Sequence, residues 1–152
     1  MIKSKPLSAY QETLGMIYFA RMLDKIRLHA ASLLHEDFCD NLGSGFDARC
    51  TDFLRINYQD LTTRVCQGSS NEEILQWCFN RGRHLSDGDI FIWNQFLKKV
   101  GWKDPVTEIL SRRKQASGFE AHPEIETMLE YFEYDEGRKS TSPNNAPNNA
   151  PN

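Results

Sequence analysis

The sequence predicts an all-α fold: a single compact domain of six or seven helices in an irregular bundle, followed by a disordered tail. Three observations carry this. Apolar residues recur at spacings of three and four through most of the chain. Ser, Asp and Pro stand at the starts of those runs, where a helix needs a cap or tolerates a missing N–H. No two alternating apolar and polar runs flank a hairpin turn. With 152 residues, 39% hydrophobic and 26% charged, the chain is long enough for one core and short for two.

The first long helix is expected from Ile17 to Leu34, with Phe19, Leu23, Ile26, Ala30 and Leu33 on one face. Asp47 to Ile56 and Gln59 to Gln67 give the next two, the latter stopped by Gly68. "SNEEILQW" (Ser70 to Trp77) and "SDGDIFIW" (Ser86 to Trp93) each place a Ser three residues before an acid, the arrangement of a capping box, and predict two capped helices in a hairpin. Asp104-Pro105 opens another helix with the Asp as cap. His122-Pro123 opens the last, along which Ile125, Met128, Leu129 and Phe132 repeat. The domain therefore spans residues 8–138. Residues 139–152, with Pro-Asn-Asn-Ala repeated and no large apolar side chain, cannot offset the entropy of ordering and are expected to be disordered.

Composition narrows the function classes. A formal net charge of -3 gives no global attraction to nucleic acid or anionic lipid. No apolar run approaches the roughly 20 residues of a membrane span, and Met16 to Ala20 is too short for a secretory signal. The chain is thus expected to be cytoplasmic, with no nucleic-acid or membrane partner. Its four cysteines, Cys39, Cys50, Cys66 and Cys78, form no C-x-x-C pair, and the histidines are scattered; reduced thiols without metal or other cofactor are expected.

Gly43-Ser44-Gly45-Phe46-Asp47-Ala48 satisfies G-x-G-x-x-(G/A), the pattern that grips a pyrophosphate. The context fails. "SLLHEDFCD" ahead of it is not a buried strand, and no acid follows about 20 residues on to take a ribose hydroxyl. Asp47 would also set a negative charge where phosphate belongs. The glycines instead suit a tight connection with positive φ, and Asp47 a cap on the helix that follows.

The first long helix holds the charged residues of most interest. At about 100° per residue, Arg21, Lys25 and Ser32 fall on a polar side, while Arg27 and Asp24 lie at the edge of the apolar stripe. Partly buried there, Asp24 and Arg27 would pair with each other across three residues. Two readings follow: an ion-paired network that fixes how the helix meets its neighbours, or a polar pocket in which Arg21 or Arg27 grips a carboxylate or phosphate. Elsewhere "SRRKQ" (Ser111 to Gln115) suits a solvated helix C-terminus. Trp77, Trp93 and Trp102 are expected in the core, and Glu124, Glu126, Glu130 and Glu133 on a solvated face.

The stretches "ARMLDKIRL", "NLGSGFDARCTDFL", "SNEEILQW", "IWNQFL", "GWKDP" and "EIETMLEYFEYDEGR", in this order, resemble a bacterial family known as domain of unknown function 5069. The resemblance runs from about Ile17 to Arg138 and implies a fold without a mechanism. It singles out Arg21, Asp24, Lys25, Arg27, Asp47, Asp135, Glu136 and Arg138 as candidate ligand-binding residues, and departs at Gly88, where an acid or other helix former would be expected. Gly137 would stop the last helix and free Arg138 to fold back. Both ends of the domain would then meet, with Asp135 or Glu136 facing the cations of the first helix. The function expected is a binding or interaction module, the alternative an enzyme or binding protein for a small anionic molecule held by that helix.

Overall fold

In the computed structural model, which describes residues 2–141, the chain forms seven α-helices, one 3-10 helix and a two-stranded hairpin. The tail expected to be disordered falls outside the described residues from Ser142 onward. Among the described residues no helix is long and apolar enough to cross a membrane.

The hairpin is an addition to the expected fold. Strand β1 (Glu12–Thr13) pairs antiparallel with β2 (Met16–Ile17) across Leu14 and Gly15, both at positive φ (49° and 82°), as a tight hairpin turn requires. Two-residue strands are too short to show alternation, so periodicity could not reveal them. Their edges are satisfied from outside: Asn94 accepts from Ile17 N at 3.0 Å and donates to Gly15 O at 2.7 Å, and Trp93 Nε1 donates to Ile17 O at 3.0 Å.

Because Met16 and Ile17 belong to the hairpin, α1 starts later than expected and runs Phe19–Ala30. Tyr18, at φ 74°, turns the chain into it. At the far end Ser32 (φ 57°) takes the left-handed position that reverses the chain, and Leu34 leaves the helix to bridge Ser4 in extended pairing. A 3-10 helix (Glu36–Asn41) leads to Gly43 and Gly45 at φ 76° and 58°, and α2 (Phe46–Leu54) follows. A Cβ on Gly43 would come within 2.8 Å of the Tyr58 ring, so this connection needs glycine for space as well as for backbone angle.

Asn57 caps α3 (Tyr58–Cys66) and Ser70 caps α4 (Asn71–Arg81). Ser86 and Asp89 close a full capping box on α5 (Asp87–Lys99), whereas at α4 only the Ser70 half forms. The expected α4–α5 hairpin is replaced: α5 turns away to pack on β2 and α7. Two further predicted starts were early. Asp104 closes a turn, accepting from Gly101 N and Val106 N, and α6 begins only at Thr107 (Thr107–Ala116). After His122-Pro123 the chain stays in turns until Thr127 caps α7 (Met128–Asp135). Of the three tryptophans Trp93 is in the core, Trp77 is half-buried and Trp102 is 46% exposed.

α1 is the axis of the core. It packs against β1, α3 and α4 through Phe19, Met22, Leu23 and Ile26, all essentially inaccessible. Arg21 and Lys25 are buried as well, so of the first two turns of α1 only Asp24 keeps some access to solvent. The side expected to face solvent is closed by α7, by the chain ahead of the hairpin and by the start of α2.

Candidate functional site

Arg21 and Lys25 sit one turn apart on α1, a like-charge spacing that disfavours a helix unless each cation is compensated. Each has its own carboxylate. Arg21 makes a bidentate pair with Glu136, Nη1 to Oε1 at 2.7 Å and Nη2 to Oε2 at 2.8 Å. Nη1 also donates to Leu7 O at 3.0 Å, and the Phe132 ring lies 4.9 Å from the guanidinium carbon. Only its Nε lacks a partner among the described residues.

Lys25 Nζ meets Asp47 Oδ2 at 2.8 Å. Asp47, wholly inaccessible on the first turn of α2, also accepts from Tyr18 OH at 2.6 Å and Gly43 N at 3.1 Å. It therefore does not cap α2 as expected; its side chain turns back into the core and anchors the glycine connection. Burial lowers the pKa of Lys25, with Asp47 opposing that shift, while burial and the Asp47 charge push the Tyr18 phenol well up.

The end of α7 completes the arrangement. Gly137, at φ 81°, reverses the chain so that Arg138 folds back, its Nε 2.9 Å from Glu133 Oε1 and its Nη2 on Glu136. Arg138 Nη1 donates to Pro6 O at 3.2 Å and Ser8 Oγ to Glu133 Oε1 at 2.7 Å. Both ends of the domain thus close on α1. Glu133 is a correction: expected on a solvated face, it is buried between Ser8 and Arg138.

The remaining candidates lie elsewhere. Asp24 and Arg27 do not pair. Asp24 accepts from Leu7 N at 2.9 Å, while Arg27 donates to Asn71 Oδ1 at 2.6 Å and Ser69 O at 3.4 Å and has no acidic partner among the described residues. Asp135 is exposed. The structure therefore assembles Arg21, Lys25, Asp47, Glu136 and Arg138 around α1, adds Tyr18, Glu133 and Ser8, and leaves Arg27 and Asp135 outside. Tyr18 and Ser8 carry no sequence signal, being single polar residues whose partners lie 29 and 125 positions away.

Two open surface grooves of about 410 Å³ each lie away from this cluster. One is lined by Leu14, Glu72, Glu73, Gln76, Trp77 and Asn80; the other by Arg27, Ala30, Ala31, Val65, Cys66 and Gly68. All four thiols are free, and no group of three metal-ligating side chains occurs among the described residues. Burial holds the Cys50 thiol well above its ordinary value and that of Cys78 at about 12, so neither is a thiolate at neutral pH. In the basic run, Lys114 is engaged in structure, donating to His122 O and Ile125 O at 2.7 and 3.0 Å.

The surface offers a different feature. On α5, Phe91, Ile92 and Phe96 are 63%, 64% and 41% exposed, on the outward arc beside the buried Trp93 and Leu97. Arg49 lies over the Phe96 ring at 5.5 Å and covers part of it.

No curated protein matches the chain. The family model described as Domain of unknown function (DUF5069) matches residues 3–138, all but a few residues of the folded part, and the chain belongs to that family.

Proposed function

We propose that this domain is a protein-interaction module of the bacterial cytoplasm that presents the outer face of α5 to a partner. The observation that carries the reading is the exposure of Phe91, Ile92 and Phe96 together on one helix face. Scattered single apolar residues are ordinary on a protein surface; three large ones sharing a helix face form the patch that a partner covers. The charged residues of α1 support it indirectly. Arg21 and Lys25 are matched to Glu136 and Asp47 and border neither groove, which is the pattern of a structural clasp.

A photo-cross-linking residue at Phe91, with a control at the well-exposed Glu108 of α6, tests the reading in the cells that produce the protein. Protein adducts at position 91 and none at 108 are expected. Absence of any adduct at 91 would sink the module.

A second reading rests on Arg27 alone. Its guanidinium borders an open groove and is held by neutral oxygens, leaving its charge uncompensated by an acid. A small carboxylate or phosphate would suit it. Calorimetric titration with inorganic phosphate and with citrate, against wild type and Arg27→Met, decides: heat lost in the variant supports this reading, and no heat with wild type ends it.

A further inference from the structure

We infer that the partner of the α5 face is a second copy of the same chain, docked antiparallel across a two-fold axis. This rests on the module reading and adds the occupant. α5 has 13 residues, about 20 Å of helix, and its ends carry opposite charge: Asp87 and Asp89 in the first turn, Lys98 and Lys99 in the last. Asp89 is engaged by Ser86 and Arg83, but Asp87 and Lys98 are exposed and make no ion pair among the described residues. They stand eleven positions apart, three turns of helix, and so fall nearly on one line along the flank of the Phe91–Ile92–Phe96 patch.

Such an arrangement is self-complementary. A two-fold axis perpendicular to α5 reverses the second helix while keeping the same flank adjacent, so each Asp87 meets the Lys98 end of the other copy and the apolar centres face each other. A parallel arrangement would oppose like charges at both ends. The patch supplies contact area in its aromatic residues, and the charges supply direction and register.

Gly88 adds an independent observation. It lies on this same face, in the first turn, where glycine is a poor helix former. An added Cβ would meet nothing nearer than Ser86 Oγ at 3.7 Å. The fold has room for a side chain there, and what the missing one favours is close approach from outside.

Sedimentation velocity of the full chain over a dilution series tests the inference. A two-copy species that dissociates on dilution is expected. Ile92→Glu should keep its helical circular dichroism and weaken association by about thirtyfold or more. Asp87→Lys alone, and Lys98→Glu with Lys99→Glu, should each weaken it through like-charge contacts. An equimolar mixture of those two proteins should associate again, because both ends of the mixed pair then join opposite charges. This exchange alters only exposed residues and decides the matter even if Ile92→Glu fails to fold. A wild-type chain that stays single at every concentration overturns self-pairing, as does a two-copy species indifferent to the charge exchange. In either case adducts at position 91 with a different protein would leave the module reading intact, so the two ideas fail separately.

Discussion

α1 and α5 invert each other. α1 takes two cations into the interior and finds each a carboxylate, Glu136 for Arg21 and Asp47 for Lys25. α5 leaves three large apolar side chains in water while its buried side, Trp93 and Leu97, is already filled. Burying a charge is costly unless a partner is at hand, and exposing a patch of apolar surface forgoes the main driving force of folding. The fold resolves the first within the domain and leaves the second unresolved. α1 is therefore where the domain is complete in itself, and α5 where it leaves apolar surface uncovered.

The largest effect should come from breaking an α1 pair. Glu136→Leu strands Arg21, and Lys25→Met strands Asp47; each should destabilise by about 3–5 kcal/mol in urea unfolding, the range for an orphaned buried charge. The double change Arg21→Met with Glu136→Leu should recover much of the first loss, because no charge is then left alone between them. A double variant as unstable as the single one would show that the pair matters through shape rather than charge.

Raising the pH should reach the same interior. Burial holds Cys50 and Tyr18 well above their ordinary values of 9.0 and 10.0, and Cys78 and Tyr58 at about 12. The unfolded chain releases these protons from about pH 9 upward while the folded chain keeps them, so stability present below that pH falls as pH rises toward 12. Lys25 acts the other way. Its folded pKa is lowered from 10.5, so between the two values the unfolded chain holds the extra proton and folding gains. Burial raises Tyr10 and Tyr131 as well, so these groups together outweigh Lys25 and give a net decline in the urea midpoint above about pH 9. A flat profile would contradict their removal from water.

Smaller effects should follow outside the clasp. Arg27→Met should cost under about 1 kcal/mol in melting experiments, since it removes hydrogen bonds to neutral partners and orphans no acid. A loss as large as that of the α1 pairs would make Arg27 part of the clasp. Smallest of all, Phe91→Ser and Ile92→Ser should change stability of the isolated domain by no more than about 0.5 kcal/mol. A substantial loss would show that the patch supports α5 itself, and the contrast with α1 would disappear.

The sequence carried the helices better than their connections. α2, α3, α4 and α5 lie where periodicity and caps put them, because each has its own stop and start chemistry nearby. The late starts of α6 and α7 share one cause. Asp104-Pro105 and His122-Pro123 are turn signals as much as helix signals, and only tertiary packing chooses between the two. For the charged cluster, a helical projection shows which residues share a side but not what covers that side. Arg21 and Lys25 looked solvent-facing because α7 and Asp47 come from far along the chain, and the Asp24–Arg27 pair looked natural because it was local. Glu136 was within reach of the sequence through the family resemblance and through Gly137, whose left-handed turn brings the end of the chain back.

That return has a consequence for synthesis. Arg21 is made early, and its counter-ion Glu136 is 115 positions further on. Until those last residues leave the ribosome, α1 has no means of taking Arg21 inside without burying an unmatched cation. Arg138, which joins Glu136 to the Pro6 carbonyl, closes the structure just beyond its final helix. A chain cut short before Glu136 carries every helix, α7 included, and still lacks the pairing that completes its first. Closure of the first helix therefore waits on residues at the far end of the domain, and a chain ended before Glu136 should be digested by protease faster than one that includes Arg138.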